Sequence, residues 1–212
     1  MDIETDRKHS TIWICVTEDV ETGEVQCHTE PQSLEPLLKN YDKIIGHNLI
    51  GFDAPVLKRL WNVGIKRGQV VDTLIMSRLL NPVIEGGHSL RAWGLRLGND
   101  KQDFTDFDGG LTDEMQKYCI QDVHLTVELY KRLKASLDKW RDAQTALLLE
   151  RDVTIECSRQ ERNGFKLDIV KAQMLQATLS DRMGVIEDEM QEVFEPIVEE
   201  RWSEKTGKRL KD

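Results

Sequence analysis

Residues 43–55 read Lys43-Ile44-Ile45-Gly46-His47-Asn48-Leu49-Ile50-Gly51-Phe52-Asp53-Ala54-Pro55. The β-branched pair Ile44-Ile45, closed by Gly46, predicts a short buried strand that ends at His47. A helix is expected to start near Asp53-Ala54-Pro55, because proline is tolerated in a first turn, where its missing amide had no intrahelical partner. Val56, Leu57, Leu60 and Trp61 then recur on one face of that helix. Strand, turn and helix in this order place Asp53 at the carboxyl edge of a sheet, where α/β proteins usually build their sites. An aspartate at a helix start is equally an ordinary N-cap, so Asp53 alone leaves its chemistry open.

Working outward, Thr11–Thr17 is β-branched and apolar, and Val25–His28 is a second short strand across a Thr22-Gly23 turn. Val70-Val71-Asp72 reads as a strand leading into a helix over Thr73–Leu80, stopped before Pro82. A short helix over Ser89–Leu97 ends at Gly98, and Asn99–Gly110 reads as an acid-rich surface loop. From Thr112 to about Trp140 the pattern is helical, with Met115, Cys119, Val123, Val127, Tyr130 and Leu133 at steps of three and four. Asp113 and Glu114 suit the start of that helix. Beyond Trp140 the strand signals stop. Arg141–Arg162 and Asp168 to about Val198 read as two long amphipathic helices joined by Asn163–Leu167. The expectation is an α/β domain over residues 1–140 and a helical appendage over 141–212. Trp13, Trp93 and Trp140 are read as core residues.

At 212 residues and 39% hydrophobic content the chain can bury a real core. Its apolar runs are far too short for a membrane helix, and no signal peptide precedes Asp2. The four cysteines, Cys15, Cys27, Cys119 and Cys157, form no CxxC pair, which fits reduced thiols and gives zinc no structural site. The formal charge of −9 opposes tight independent binding to nucleic acid, since phosphate neutralisation supplies most non-specific affinity. Something beyond this chain is expected to hold any nucleic-acid substrate.

Acids in two further clusters accompany Asp53. In Asp2-Ile3-Glu4, strand spacing would put both carboxylates on one sheet face, where their repulsion calls for a cation. In Tyr118-Cys119-Ile120-Gln121-Asp122, helical spacing puts the phenol and the carboxylate on one face. Each pair has a bland reading, a surface acid or a buried tyrosine. Their joint occurrence points to hard oxygen ligands for divalent ions, two of which about 3.5–4 Å apart can clamp both oxygens of a phosphodiester displacement.

Asp2, Glu4, Asp53 and Asp122 with Tyr118 resemble the DEDD pattern, tyrosine subtype, of 3′→5′ exonucleases. The chain is similar to the proofreading exonuclease domain of family A DNA polymerases, particularly those of short-tailed bacteriophages. Asp72–Leu79, Gly87–Gly94 and Arg159–Phe165 carry the same resemblance, which spans essentially the whole chain. It implies a ribonuclease-H-like fold, a mixed central sheet flanked by helices, with residues from about 141 resembling the beginning of the polymerase domain. It implies hydrolysis of the 3′-terminal phosphodiester of single-stranded or frayed DNA with two divalent ions, Mg²⁺ or also Mn²⁺. Asp2, Glu4 and Asp122 would hold the ion on the nucleophile side. Asp2 would bridge to the second, Asp53 would act through that ion's water shell, and Tyr118 would orient the attacking water. His47, Asn48, Phe52 and His88 are the candidate substrate-binding residues. Phe52 would stack on a base, and His88 would contact the terminal nucleotide or orient a loop. His47 and Asn48 could instead shape the turn behind Asp53. The implied partners are a DNA 3′ end and a polymerase polypeptide or domain, with no membrane, in the cytoplasm of a bacterial or phage-infected cell. The chain then reads as a fragment or split subunit whose first strand has only Met1 before Asp2. A non-catalytic module that docks a polymerase, or an RNA-directed exonuclease of the same superfamily, stands as the alternative.

Overall fold

Pleating sends successive side chains of a strand to opposite faces, and here that alternation separates the acids from the main core. In the computed structural model, which describes residues 1–99 and 104–194, β1 (Asp2–Thr5) pairs antiparallel with β2 (Ile12–Glu18), and β2 with β3 (Val25–His28). Asp2 lies opposite Val16, Ile3 opposite Cys15 and Glu4 opposite Ile14. Ile3 and Cys15 therefore share a face, and they are buried with Leu34 and Leu38 of α1 (Pro31–Lys39) and Val56 and Leu57 of α2 (Asp53–Leu60). Ile14 and Val16 look the other way, against Cys119 and Val123 of α5 (Asp113–Leu137). Asp2 and Glu4 belong to this second face.

β4 (Ile44–Gly46) pairs in parallel with β5 (Val70–Asp72), with Gly46 opposite Asp72. The α/β class is as expected, but the described strands form a three-stranded and a two-stranded sheet rather than one ladder. The Met1 ammonium donates to Ile45 O at 2.7 Å between them. β4 and β5 have three residues each, and the β1–β2 register shifts between Glu4 and Thr5.

Asp72 caps α3 (Thr73–Leu80) by accepting from Leu74 N, and Ser89 caps α4 (Leu90–Leu97) by accepting from Ala92 N. Gly98 closes α4 with φ 73°, a left-handed cap that favours glycine. Met76 of α3 meets Leu129, Leu133 and Leu137 of α5 and Ala143 of α6 (Ala143–Asn163) in a second buried cluster. Each fully buried leucine of this kind contributes about 1.5–3 kcal/mol relative to exposure.

Sequence spacing missed α1. Pro31 suits its first position, but Pro36 lies inside it, while Leu34 and Leu38 carry the buried face. Of the tryptophans, Trp13 and Trp93 are half-buried, and their indole N–H groups donate to Phe107 O and Ser77 Oγ, both at 2.9 Å. Trp140 is 46% exposed, contrary to the core placement, because α5 ends at Leu137 and the ring falls in the following turn.

Residues Met1–Asn163 form one compact unit and Gly164–Asp212 another. In the second, Asp168 caps α7 (Ile169–Val193) by accepting from Lys171 N, and none of the helix's residues is buried. The expected run of this helix to about Val198 passes beyond the described residues, as do residues 100–103 of the expected loop. Among the described residues no helix is long and apolar enough to cross a membrane.

Candidate active site

The turn between β4 and α2 is wound around a single buried carboxylate. Asp72 accepts from Asn48 N at 2.9 Å and Ile50 N at 3.1 Å, and it also caps α3. Asn48 takes the left-handed conformation, φ 60°, which asparagine tolerates better than most residues. Its side chain lies so close to Gly51 that a Cβ there would stand 2.5 Å from Asn48 Oδ1, so a larger residue at position 51 would have to push the exposed Asn48 amide aside. Phe52 N donates to Asn48 O at 3.0 Å and Ala54 N to Leu49 O at 2.9 Å, which delivers Asp53 as the first residue of α2. Burial raises the Asp72 carboxyl above its ordinary range, and the backbone amides of Ile50, Leu74, Asn48 and Ile75 pull it back. Asp72 is thus a positioning residue that spacing did not single out. The signal was there, in an acid at the end of a β-branched run just before a helix.

Asp53 is 2% exposed, and its Oδ1 is buried with no hydrogen-bond partner among the described residues. Burial pushes its carboxyl well above the usual range, the negative charge of Asp2 pushes the same way, and the N-terminal ammonium opposes both. The turn and β1 therefore bring Asp53 and Asp2 into one electrostatic environment. Glu4 is 7% exposed and Asp122 4% exposed, both far more buried than free carboxylates usually are. The ligand atoms of Asp2, Glu4 and Cys119 all lie within 4.8 Å of one another. Cys119 Sγ sits 3.7 Å from Asp2 O and 3.8 Å from Asp2 Oδ2. Burial, then the charges of Asp2 and Glu4, raise the Cys119 thiol well above its usual range, with Asp122 adding to the shift. Cys119 stays a neutral thiol at neutral pH. It was not read as a site residue, although it sits between Tyr118 and Asp122.

Tyr118, one turn before Asp122 on α5, is half-buried, and its ring centre lies 5.6 Å from Phe104 and 6.3 Å from Phe107. Of the residues read as substrate contacts, His47 has its Nδ1 2.9 Å from Thr73 Oγ1. The Thr73 hydroxyl donates to Gly46 O at 3.1 Å, so its oxygen accepts from His47 Nδ1–H. Asn48 is exposed at the corner of the turn, and Phe52 packs its ring edge-on to His9 at 5.0 Å. His88 has Nδ1 2.7 Å from Ser77 Oγ and Nε2 3.4 Å from Pro82 O, contacts that orient the loop before α4.

The carboxylates, unlike the neutral Cys119 thiol beside them, are hard oxygen donors, and a buried carboxylate oxygen with no donor among the described residues is the kind of atom a hard cation satisfies. The acids fit divalent ions, with Asp2, Glu4, Asp53 and Asp122 as the residues that would hold them.

Acids gathered from a first strand, a strand-to-helix turn and a later helix of an α/β domain define a class. A family model described as 3′-5′ exonuclease matches residues 2–138, and the chain belongs to that family. The DNA-directed DNA polymerase of Enterobacteria phage T3 is 26% identical over 219 aligned positions, covering 76% of this chain and 31% of that protein. That of Escherichia phage T7 is 26% identical over 208 positions, covering 71% of this chain and 29% of that protein. The expected likeness to a phage-type polymerase exonuclease domain is met, and the chain spans under a third of the length of these curated relatives.

Proposed function

We propose that this chain is a metal-dependent 3′→5′ exonuclease that hydrolyses the terminal phosphodiester of single-stranded or frayed DNA, as the proofreading part of a family A DNA polymerase. The observation that carries it is the buried Asp53 carboxylate, whose Oδ1 has no hydrogen-bond partner among the described residues and which feels the negative charge of Asp2. Two divalent ions, Mg²⁺ or Mn²⁺, would supply a water of lowered pKa and stabilise charge on the phosphoryl oxygens. Asp2, Glu4, Asp53 and Asp122 would hold them, with Glu4, Asp53 and Asp122 buried and Asp2 half-buried. Tyr118 would orient the attacking water through its hydroxyl. No side chain needs to read a base, because every nucleotide offers the same scissile group. A frayed end reaches the site at lower unstacking cost, which selects mismatches.

The strand sets β1-β2-β3 and β4-β5, brought together by the Met1–Ile45 bond, support a ribonuclease-H-like arrangement. The family match ends at residue 138, which supports dividing function near residue 140 even though α6 packs with the first compact unit. Residues 141–212 then begin the polymerase portion, the partner is a polymerase polypeptide or domain, and the setting is the cytoplasm of a bacterial or phage-infected cell. Incubation of the chain with 3′-labelled single-stranded DNA and RNA oligomers, with Mg²⁺ or with EDTA, tests the reading. Mononucleotide release from DNA, dependent on Mg²⁺, is expected. No release with either ion state, or release from RNA alone, would overturn it.

A further inference from the structure

The loop over residues 104–108 was read from sequence as plain surface, yet its two phenylalanines face the candidate water-orienting residue. Phe104 and Tyr118 lie 5.6 Å apart with ring planes tilted by 36°, and Phe107 meets Tyr118 edge-on at 6.3 Å and 81°. Phe104 and Phe107 are themselves edge-to-face at 5.0 Å and 87°, so the three rings form one closed triangle. Edge-to-face and tilted contacts are the favoured aromatic geometries, and two of them on one ring restrict both its χ1 well and its χ2 angle. The hydroxyl at the end of that ring is correspondingly fixed.

The loop is tied to the strand that follows the acids. Trp13 Nε1 donates to Phe107 O at 2.9 Å from a half-buried position on β2. Arg7, in the turn after β1, donates from its backbone N to Asp108 Oδ1 at 3.1 Å and from Nη2 to Thr105 O at 2.9 Å. The Arg7 and Asp108 side chains are 66% and 58% exposed, so their ion pair at 3.6 Å contributes little. The partly buried indole bond to Phe107 is the stronger tether. It is also the one that fixes the phenylalanine directly.

We propose that Phe104 and Phe107 are positioning residues that hold the Tyr118 ring, and through it the phenol, in register with the acids, and that Trp13 anchors them. The inference rests on the role given to Tyr118 above. A wrongly aimed positioning group loses rate and leaves substrate binding alone, so the effect belongs in kcat.

The test uses the full 212-residue chain carrying 3-fluorotyrosine, whose three tyrosines are Tyr41, Tyr118 and Tyr130, the Tyr118 signal being assigned by its loss in Tyr118→Phe. That fluorine resonance is expected to be displaced by the neighbouring rings and to move toward the unstructured position in Phe107→Leu. Trp13→Phe, which keeps an aromatic ring and removes only the N–H donor, should move it in the same direction if Phe107→Leu fails to fold. In parallel, Phe107→Leu should lower kcat about tenfold with KM held within about twofold, and should lower it less than about twofold in a Tyr118→Phe background. An unmoved resonance, or an equal kcat loss in both backgrounds, overturns the proposal. Absence of Mg²⁺-dependent digestion by the wild-type chain would count against the exonuclease reading instead, and the fluorine resonance would still decide the aromatic contact.

Discussion

Helices α5 and α7 have the same length, 25 residues, and start in the same way, on a Thr112 or Asp168 side chain that accepts from the third residue of the helix. Ten residues of α5 are buried and none of α7. In α5 the apolar positions keep to the side that packs on β2 and α3, at Met115, Cys119, Val123 and onward to Leu137. In α7 apolar residues such as Met174, Leu179, Met183, Ile186 and Val193 are all more than 40% exposed. Capping and propensity therefore begin a helix without deciding what its side chains can do. An acid on α5, such as Asp122, is buried and takes its chemistry from its neighbours. The acids of α7, such as Glu187 and Asp188, are exposed and remain ordinary solvated charges.

The contrast is easiest to break in the core. Leu129→Ala on α5, where the side chain is fully buried, should reduce unfolding free energy by about 2–5 kcal/mol, whereas Leu179→Ala on α7 should stay within about 0.5 kcal/mol. Urea denaturation followed by circular dichroism measures both. Equal midpoints would end the distinction.

Next comes the acid chemistry. Asp122→Ala should lower Mg²⁺-dependent release of mononucleotides by at least about a hundredfold, near 2.7 kcal/mol in barrier, while the urea midpoint holds or rises. Glu187→Ala should leave both quantities essentially unchanged. A loss of fold with Asp122→Ala, or digestion near the wild-type rate, would refute the ligand assignment.

Caps sharpen the comparison at a smaller scale. Thr112→Ala should cost about 1 kcal/mol of global stability, since α5 transmits its fraying to the core. Asp168→Ala should speed amide exchange in the first turn of α7 without moving the global midpoint. The reverse ranking would show that α7 is the more tightly integrated helix.

The smallest effect is a slope with pH. Burial and Asp2 raise the Asp53 carboxyl well above 3.8 in the folded chain. Between 3.8 and that raised value the native state holds more protons than the unfolded state, so stability falls as pH rises. With EDTA present, the wild-type Tm should therefore decline from about pH 5 to pH 7 relative to Asp53→Asn, which cannot ionise. Parallel Tm curves for the two proteins would show that Asp53 does not carry this linkage.

Much of this was legible in the chain. Val25–His28 and Thr73–Leu80 stand in the structure with the bounds their spacing gave, because turn residues and Pro82 delimit them locally. α1 was not legible, since its two prolines hide a leucine pattern that only packing against Ile3 and Cys15 makes helical. The acids were legible as residue types at spacings. The depth of Asp53 and the thiol of Cys119 against Asp2 depend on burial or on a pairing across more than a hundred residues, and the aromatic triangle around Tyr118 depends on how an irregular loop folds back on α5, none of which periodicity encodes. Trp140 shows the converse error, for a large apolar ring was assumed to be inside and sits in a turn.

Asp72 has a consequence for how this chain tolerates change. One carboxylate serves the amides of Asn48 and Ile50 on one side and of Leu74 on the other. Two stretches separated by more than twenty positions in the gene therefore share a single acceptor. Lengthening the loop at residues 47–52 leaves that acceptor half-used, and replacing the acceptor releases the loop and the helix start together. In a library of random variants the two regions should accept alterations as a pair or not at all.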